Sequence, residues 1–276
     1  MKPNFFIIGA PKAGTTSLWA ILRQHPDIFM PDVKEPNFFS RDEVYALGWE
    51  WYAKLFSLFK DEAAIGEASP SYCMIESFPN VVERIANHVP KSRIIYIVRD
   101  PFERVESAWL QFMYTGHPVK GIFSKDIREY PPMVEQSLYW QTIKAYKAYF
   151  PDDQILILFF DDLRLDAQKV AVQCYEFLKV NTEFEATDIN RPHNLSAGRT
   201  KERMIISIIR ESIIFPTLKA IIPKKLQQQI YDKLGHKELP NRPDWDCETR
   251  EWFFERIHRD INQFLEYAGK PKEYWF

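Results

Sequence analysis

Four short apolar runs punctuate this chain: Phe5–Gly9, Ala64–Gly66, Ile94–Val98 and Ile155–Phe160. Their β-branched and aromatic content, bounded by polar or turn-forming residues, is the pattern of strands buried on both faces. Between them the apolar positions recur at helical spacing. Helices are predicted over Thr16–Gln24 (stopped near Pro26), Val81–Asn87, Leu138–Tyr149, Ala167–Leu178 and Glu248–Tyr267. A further helix starts at Asp100-Pro101-Phe102-Glu103 and runs to about Tyr114, with Asp100 as cap, Pro101 in the first turn and Glu103 reaching back. Strands alternating with helices predict an α/β fold, a P-loop-like central parallel sheet flanked by helices. No linker, internal repeat or low-complexity tract interrupts it, so residues 1–276 are expected to form one domain.

Two segments break this rhythm. Thr115–Met133 contains Gly116, Pro118, Gly121, Pro131 and Pro132 and reads as an irregular excursion, the kind of segment that forms lids or binding surfaces. Met204–Leu226 is rich in isoleucine but broken by Arg210, Glu211, Pro216, Lys219 and Pro223. It reads as a pair of amphipathic helices covering the core, with a membrane-surface or lipid-substrate contact as the alternative. No run of about 20 uninterrupted apolar residues is present, so no transmembrane helix is expected. Pro3 and Asn4 interrupt the first apolar stretch, and no secretory signal is expected.

Composition narrows the classes. The formal net charge is −2, which disfavours a nucleic-acid binder and gives no encouragement to a long polyanionic substrate, though a local basic groove is compatible with it. The three cysteines, Cys73, Cys174 and Cys247, are far apart and form no CxxC pair. They suit a reducing cytoplasm and are expected to be lone buried thiols. The histidines show no ligand spacing, and no catalytic metal is expected.

The chemistry begins in Phe5–Trp19, FFIIGAPKAGTTSLW. A strand ends at Gly9, a short loop carries Lys12, and Gly14-Thr15-Thr16-Ser17 open a helix. Orphan N–H groups and the helix dipole favour an anion there, a phosphate or sulfate. The spacing of Gly9 and Gly14 fits the nucleotide triphosphatase loop GxxxxGK[ST], but Thr15 stands in its lysine slot and Lys12 lies in the turn. Ligands of open parallel sheets bind beyond the carboxyl ends of the strands. Those ends lead to Lys12, to Glu67, to Arg99 and to Asp161 and Asp162, so an anion loop, a carboxylate and an arginine are expected on one rim.

PKAGTTS resembles the 5′-phosphosulfate loop of sulfotransferases that use 3′-phosphoadenosine-5′-phosphosulfate (PAPS). RIIYIVRDPFERVESAW is similar to their 3′-phosphate element, a strand, an arginine at its end (Arg99) and a serine on the next helix (Ser107). His25–Ser40, GEASPSYC (Gly66–Cys73), Gln136–Pro151 and Phe264–Trp275 also resemble this superfamily, nearest the glycosaminoglycan and bacterial branch. That resemblance implies PAPS as cosubstrate and PAP as product, without a metal, and a hydroxyl-bearing acceptor that is a carbohydrate, lipid or small molecule. It implies Glu67 as general base and Lys12 on the bridging oxygen. Lys12, Ala13, Gly14, Thr15, Thr16 and Ser17 would surround the 5′-phosphate, and Arg99 and Ser107 the 3′-phosphate. NLSAGRTK resembles the later loop that closes over the nucleotide, making Ser196, Gly198 and Arg199 candidate contacts, with a solvated connection as the alternative.

The chain departs from the pattern at two places. Ala68 stands where glycosaminoglycan enzymes often carry lysine, and Ser17 where the cytosolic branch has its adenine-stacking tryptophan, so Trp19 is read as core. Roles for Lys34, His117 and Lys120 stay open, and for Arg99 an ion pair with Asp100 or Glu103 is the alternative. Two other functions are consistent with parts of the sequence. One is a P-loop small-molecule kinase using ATP and magnesium, with Asp100 near the metal. The other is a non-catalytic nucleotide-binding or membrane-surface protein.

Overall fold

The computed structural model describes residues 2–115, 119–187 and 242–276. Strands β1 (Phe5–Gly9), β2 (Ile28–Phe29), β3 (Ala64–Ala68), β4 (Arg93–Val98) and β5 (Ile155–Phe159) form one sheet in the order β2-β3-β1-β4-β5. Every neighbouring pair is parallel, with Phe5 opposite both Gly66 and Arg93, and Ile94 opposite Ile155. The strand order reverses beside β1, which places the crevice of an open α/β sheet at the end of that strand.

The described helices, in chain order, are α1 (Thr15–Leu22), α2 (Asp42–Tyr45), α3 (Gly48–Lys54), α4 (Val81–His88), α5 (Pro101–Thr115), α6 (Phe123–Glu129), α7 (Pro132–Glu135), α8 (Tyr139–Lys147), α9 (Phe160–Leu165), α10 (Ala167–Leu178) and α11 (Cys247–Tyr267). Successive strand residues point to opposite faces, and both faces are covered. Phe5, Ile7, Ile95, Ile97 and Leu158 pack with α1 and α10; Phe6, Ile8, Ile94, Tyr96 and Val98 pack with α3, α4, α5, α8 and α11. That is why the strands read as unbroken apolar runs rather than alternating ones. Each fully buried Ile or Phe contributes about 1.5–3 kcal/mol. Asp260 of α11 accepts from the N–H groups of Trp140 (2.9 Å) and Gln141 (2.8 Å), pinning the start of α8 by meeting two orphan donors.

The structure corrects several expectations. β3 does not stop at Gly66 but runs through Ala68, so Glu67 lies inside a strand. Short pieces β2, α2, α3 and α9 were not predicted. The excursion Thr115–Met133 contains α6 and α7, because its Gly and Pro residues flank helical turns instead of interrupting them; Pro132 sits in the first turn of α7. Asp126, buried at the end of this segment's first turn, holds it by accepting from Trp109 Nε1 (2.8 Å), Lys120 N–H (2.7 Å) and Gly121 N–H (2.9 Å). Cys73 and Cys174 are buried as expected, whereas Cys247 is exposed. No described helix is long and apolar enough to cross a membrane. The segment Met204–Leu226 lies outside the described residues, as does His117.

Candidate active site

The loop after β1 is wound tightly. Ala10 N–H donates to the carbonyl of Ile97 (2.6 Å) and Ala13 N–H to that of Ala10 (3.1 Å). Lys12 (φ 70°) and Gly14 (φ 92°) are both left-handed. Gly14 caps α1 without a side chain, and Leu18 N–H closes the first helical bond onto the Gly14 carbonyl (3.0 Å). The N–H groups of Thr15, Thr16 and Ser17 therefore precede the helix ladder and have no acceptor within it. Only glycine fits at position 14. A Cβ there would lie 2.8 Å from Phe160 Cδ2 and 3.0 Å from Leu163 Cδ2. Trp19 is half-buried against the core, as expected, beneath the guanidinium of Arg23.

Arg99 follows β4, with its side chain 14% exposed. Its Nε and Nη2 donate to Glu103 Oε2 (3.1 and 2.7 Å), its Nη1 donates to the Lys12 carbonyl (3.4 Å), and its plane lies 4.7 Å from the Phe160 ring centroid. The Arg99 carbonyl accepts from the Tyr139 hydroxyl (2.6 Å). One contact set thus joins the β1 loop, the β4 end and the first residue of α9. The Glu103 ion pair that the sequence allowed is present, and it coexists with a location beside the β1 loop. Asp100 accepts from Glu103 N–H (2.9 Å), so it caps α5 as predicted, while Glu103 turns to Arg99 instead of reaching back. Ser107, half-buried, lies one turn beyond Glu103 on the same face of α5.

Glu67 is 1% exposed. Its alternation with Ile65 turns it to the α3–α4–α8 face, opposite Phe6 of β1. Oε1 accepts from the hydroxyls of Tyr52 (3.1 Å) and Tyr72 (2.6 Å), and Oε2 from that of Ser69 (2.6 Å). Ser69 Oγ in turn accepts from Asn37 N–H (3.1 Å). Burial pushes the Glu67 carboxyl up to about 7, against the three hydroxyl donors, which favour the ionised form; nearby Glu35 raises it further. A carboxylate poised near neutrality is suited to accept a proton.

The structure thus gathers the amides of the Gly14–Ser17 turn, Arg99 and Glu103 at one corner, and places Glu67 on the adjacent strand. Lys34 is paired with Glu35, whose N–H donates to the Ala68 carbonyl (3.1 Å), so it flanks the Glu67 strand. Lys120 is exposed and binds Glu129 (2.8 Å). Asp161 and Asp162 lie in α9 rather than at a bare strand end. Ser196, Gly198 and Arg199 lie outside the described residues. Sequence reasoning missed Tyr52, Ser69, Tyr72 and Phe160 as partners, while the Arg99 pair with Glu103 was its stated alternative. Ser69 and Tyr72 stand in the GEASPSYC motif and Glu103 in RDPFER, so their neighbourhood was signalled; Tyr52 and Phe160 come from elements with no motif.

The sulfotransferase domain family matches residues 2–210. The chain belongs to this family. The membrane-associated sulfotransferase kil1 of Dictyostelium discoideum is 39% identical over 105 residues, 37% of this chain and 21% of that protein. Human bifunctional heparan sulfate N-deacetylase/N-sulfotransferase 3 is 28% identical across 99% of this chain and 31% of its own length. The chain thus spans a third or less of these two relatives. Among solved structures, a sulfotransferase from Alicyclobacillus acidocaldarius aligns with a TM-score of 0.60 and 27% identity, covering 79% of this chain and 96% of that one. Membership of the sulfotransferase domain family and the parallel central sheet agree with the sequence reading, which had four of the five strands.

Proposed function

We propose that this sulfotransferase-family protein moves a sulfuryl group from PAPS to an acceptor hydroxyl, with Glu67 as general base. The observation that carries the reading is the junction of the anion loop with Arg99 through the Lys12 carbonyl, at 3.4 Å. It puts a guanidinium beside a helix N-terminus, the arrangement for two phosphates on one nucleotide. The amides of Gly14, Thr15 and Thr16 hold the 5′-phosphate, and Arg99 with Ser107 holds the 3′-phosphate. The acceptor oxygen attacks sulfur in line. A new O–S bond forms as the bond from sulfur to the bridging oxygen breaks, and its electron pair leaves on the 5′-phosphate of PAP. Lys12 donates to that bridging oxygen as charge builds there, a preorganised stabilisation. The acceptor's proton passes to Glu67. Oε1 already accepts two phenolic hydrogens and Oε2 only one, so Oε2 has the lone pair to receive it.

Thermal unfolding with PAP, with 5′-AMP and with ATP plus magnesium tests the reading, because a ligand that binds the native state raises the midpoint by mass action. PAP is expected to stabilise most, with 5′-AMP well behind. Preferential stabilisation by ATP with magnesium would place the protein with the kinases instead.

A further inference from the structure

Of the five N–H groups on the Arg99 guanidinium, Glu103 takes Nε–H and one on Nη2, and the Lys12 carbonyl takes one on Nη1. Among the described residues that leaves one N–H on each terminal nitrogen, the number a bidentate contact to a single phosphate uses. The same side chain is braced on a third side by the Phe160 ring at 4.7 Å. Glu103 itself sits in the first turn of α5, its N–H bound to the capping Asp100 carboxylate (2.9 Å), so its own place is fixed by the helix start. Arginine side chains carry large rotamer entropy, and a guanidinium already locked in its bound orientation loses less of it when a ligand arrives.

We propose that Glu103 is a positioning residue that sets Arg99 for the nucleotide's 3′-phosphate, and so gives the site its preference for a nucleotide with two phosphate groups over one with a single 5′-phosphate. The inference rests on the assignment of Arg99 to the 3′-phosphate. Glu103 touches no substrate in this scheme. It holds one edge of the guanidinium so that the remaining donors are presented together. Its negative charge near an incoming phosphate is a cost, and the ordering of Arg99 is the compensating gain.

The test is calorimetric titration of PAP and of 5′-AMP into the wild-type protein and the variants Glu103→Ala and Glu103→Gln. The ratio of the two affinities is the readout, since a general loss of structure weakens both nucleotides alike. Glu103→Ala is expected to lower the ratio by about tenfold, the size of one freed, rotamer-rich side chain, with 5′-AMP unchanged. Glu103→Gln keeps an acceptor oxygen and is expected to restore most of the ratio. An unchanged ratio in Glu103→Ala overturns the proposal. So does tighter PAP binding in either variant, which would make Glu103 a competitor for Arg99. If the wild-type protein itself shows no preference for PAP over 5′-AMP, the assignment of Arg99 fails and the proposal falls with it.

Discussion

The corner around Gly14 and Arg99 and the pocket around Glu67 are neighbours on one sheet, yet they are made by different physics. The first offers donors: backbone N–H groups at a helix start and a guanidinium on the rim, oriented by a carbonyl, a carboxylate and a ring. The second holds an acceptor in the interior, a carboxylate 1% exposed and met by three hydroxyls from two segments. The charge at the rim is already paired with a carboxylate, Glu103, at 2.7 Å. A charge in the core is tuned by its surroundings toward the edge of ionisation. On the proposed reading, binding and proton transfer are separated in space, so each region is expected to be breakable with the other intact.

The largest separation is expected from Glu67→Gln. It removes the proton acceptor but keeps the size and most of the hydrogen-bond geometry of the side chain. Sulfate transfer from labelled PAPS to a panel of hydroxyl acceptors should fall by about 10²–10⁴, the usual worth of a general base, while PAP affinity stays within a few-fold. Parallel loss of transfer and of PAP binding would assign Glu67 to the architecture of the nucleotide site.

Gly14→Ala strikes the other region. The new Cβ meets Phe160 at 2.8 Å in a backbone conformation with φ of 92° that alanine resists. Because Phe160 also braces Arg99, displacement of that ring should reach both anion contacts. A stability loss of about 1–3 kcal/mol, seen in denaturant unfolding, is expected together with weaker PAP binding. The Glu67 pocket should be untouched. A stable variant with intact PAP affinity would show that the loop tolerates remodelling and is not the anion site.

These two regions also differ in how far the sequence announced them. The donor corner was legible because each of its parts is local: a strand, a glycine turn and a helix start, and, far along the chain, an arginine at the end of β4, the strand beside β1 in the sheet. Local backbone rules place such groups without knowledge of packing. Glu67 was legible through its motif, but its environment was not. The strand extends past Gly66 because Ala68 is small enough to be buried beside β1, and this carries Glu67 inside the strand instead of leaving it on the rim. Tyr52 reaches it from α3, a seven-residue helix whose apolar and polar positions give little warning, across fifteen residues of chain. Phe160 was hidden likewise, since its contact with Arg99 depends on where α9 starts in space, whereas the i,i+4 pair of Arg99 with Glu103 was open to sequence reading. Tertiary packing, rather than local propensity, made those choices.

The smallest effect is the most diagnostic of the buried pocket. Tyr72→Phe deletes one hydroxyl, which lies 2.6 Å from Oε1 and also accepts from the Phe39 N–H (3.3 Å). That hydroxyl favours the ionised carboxylate, so its loss should raise the Glu67 midpoint above about 7, by about one pH unit for a hydrogen bond to a charged group. Carboxyl ¹³C resonances, assigned by their absence in Glu67→Gln, report the titration without any acceptor substrate. The sign carries over to stability. Glu67 has an ordinary value of 4.5 in the unfolded chain and about 7 when folded, so the native state takes up a proton between those values. Stability from this group is full below about 4.5 and falls as pH rises through about 7. In Tyr72→Phe that fall should continue to higher pH, and in Glu67→Gln it should vanish. A Tyr72→Phe midpoint that stays put or moves down would mean that the phenol does not hydrogen-bond the carboxylate in solution, and the contrast between the interior carboxylate and the donors at the rim would lose its basis.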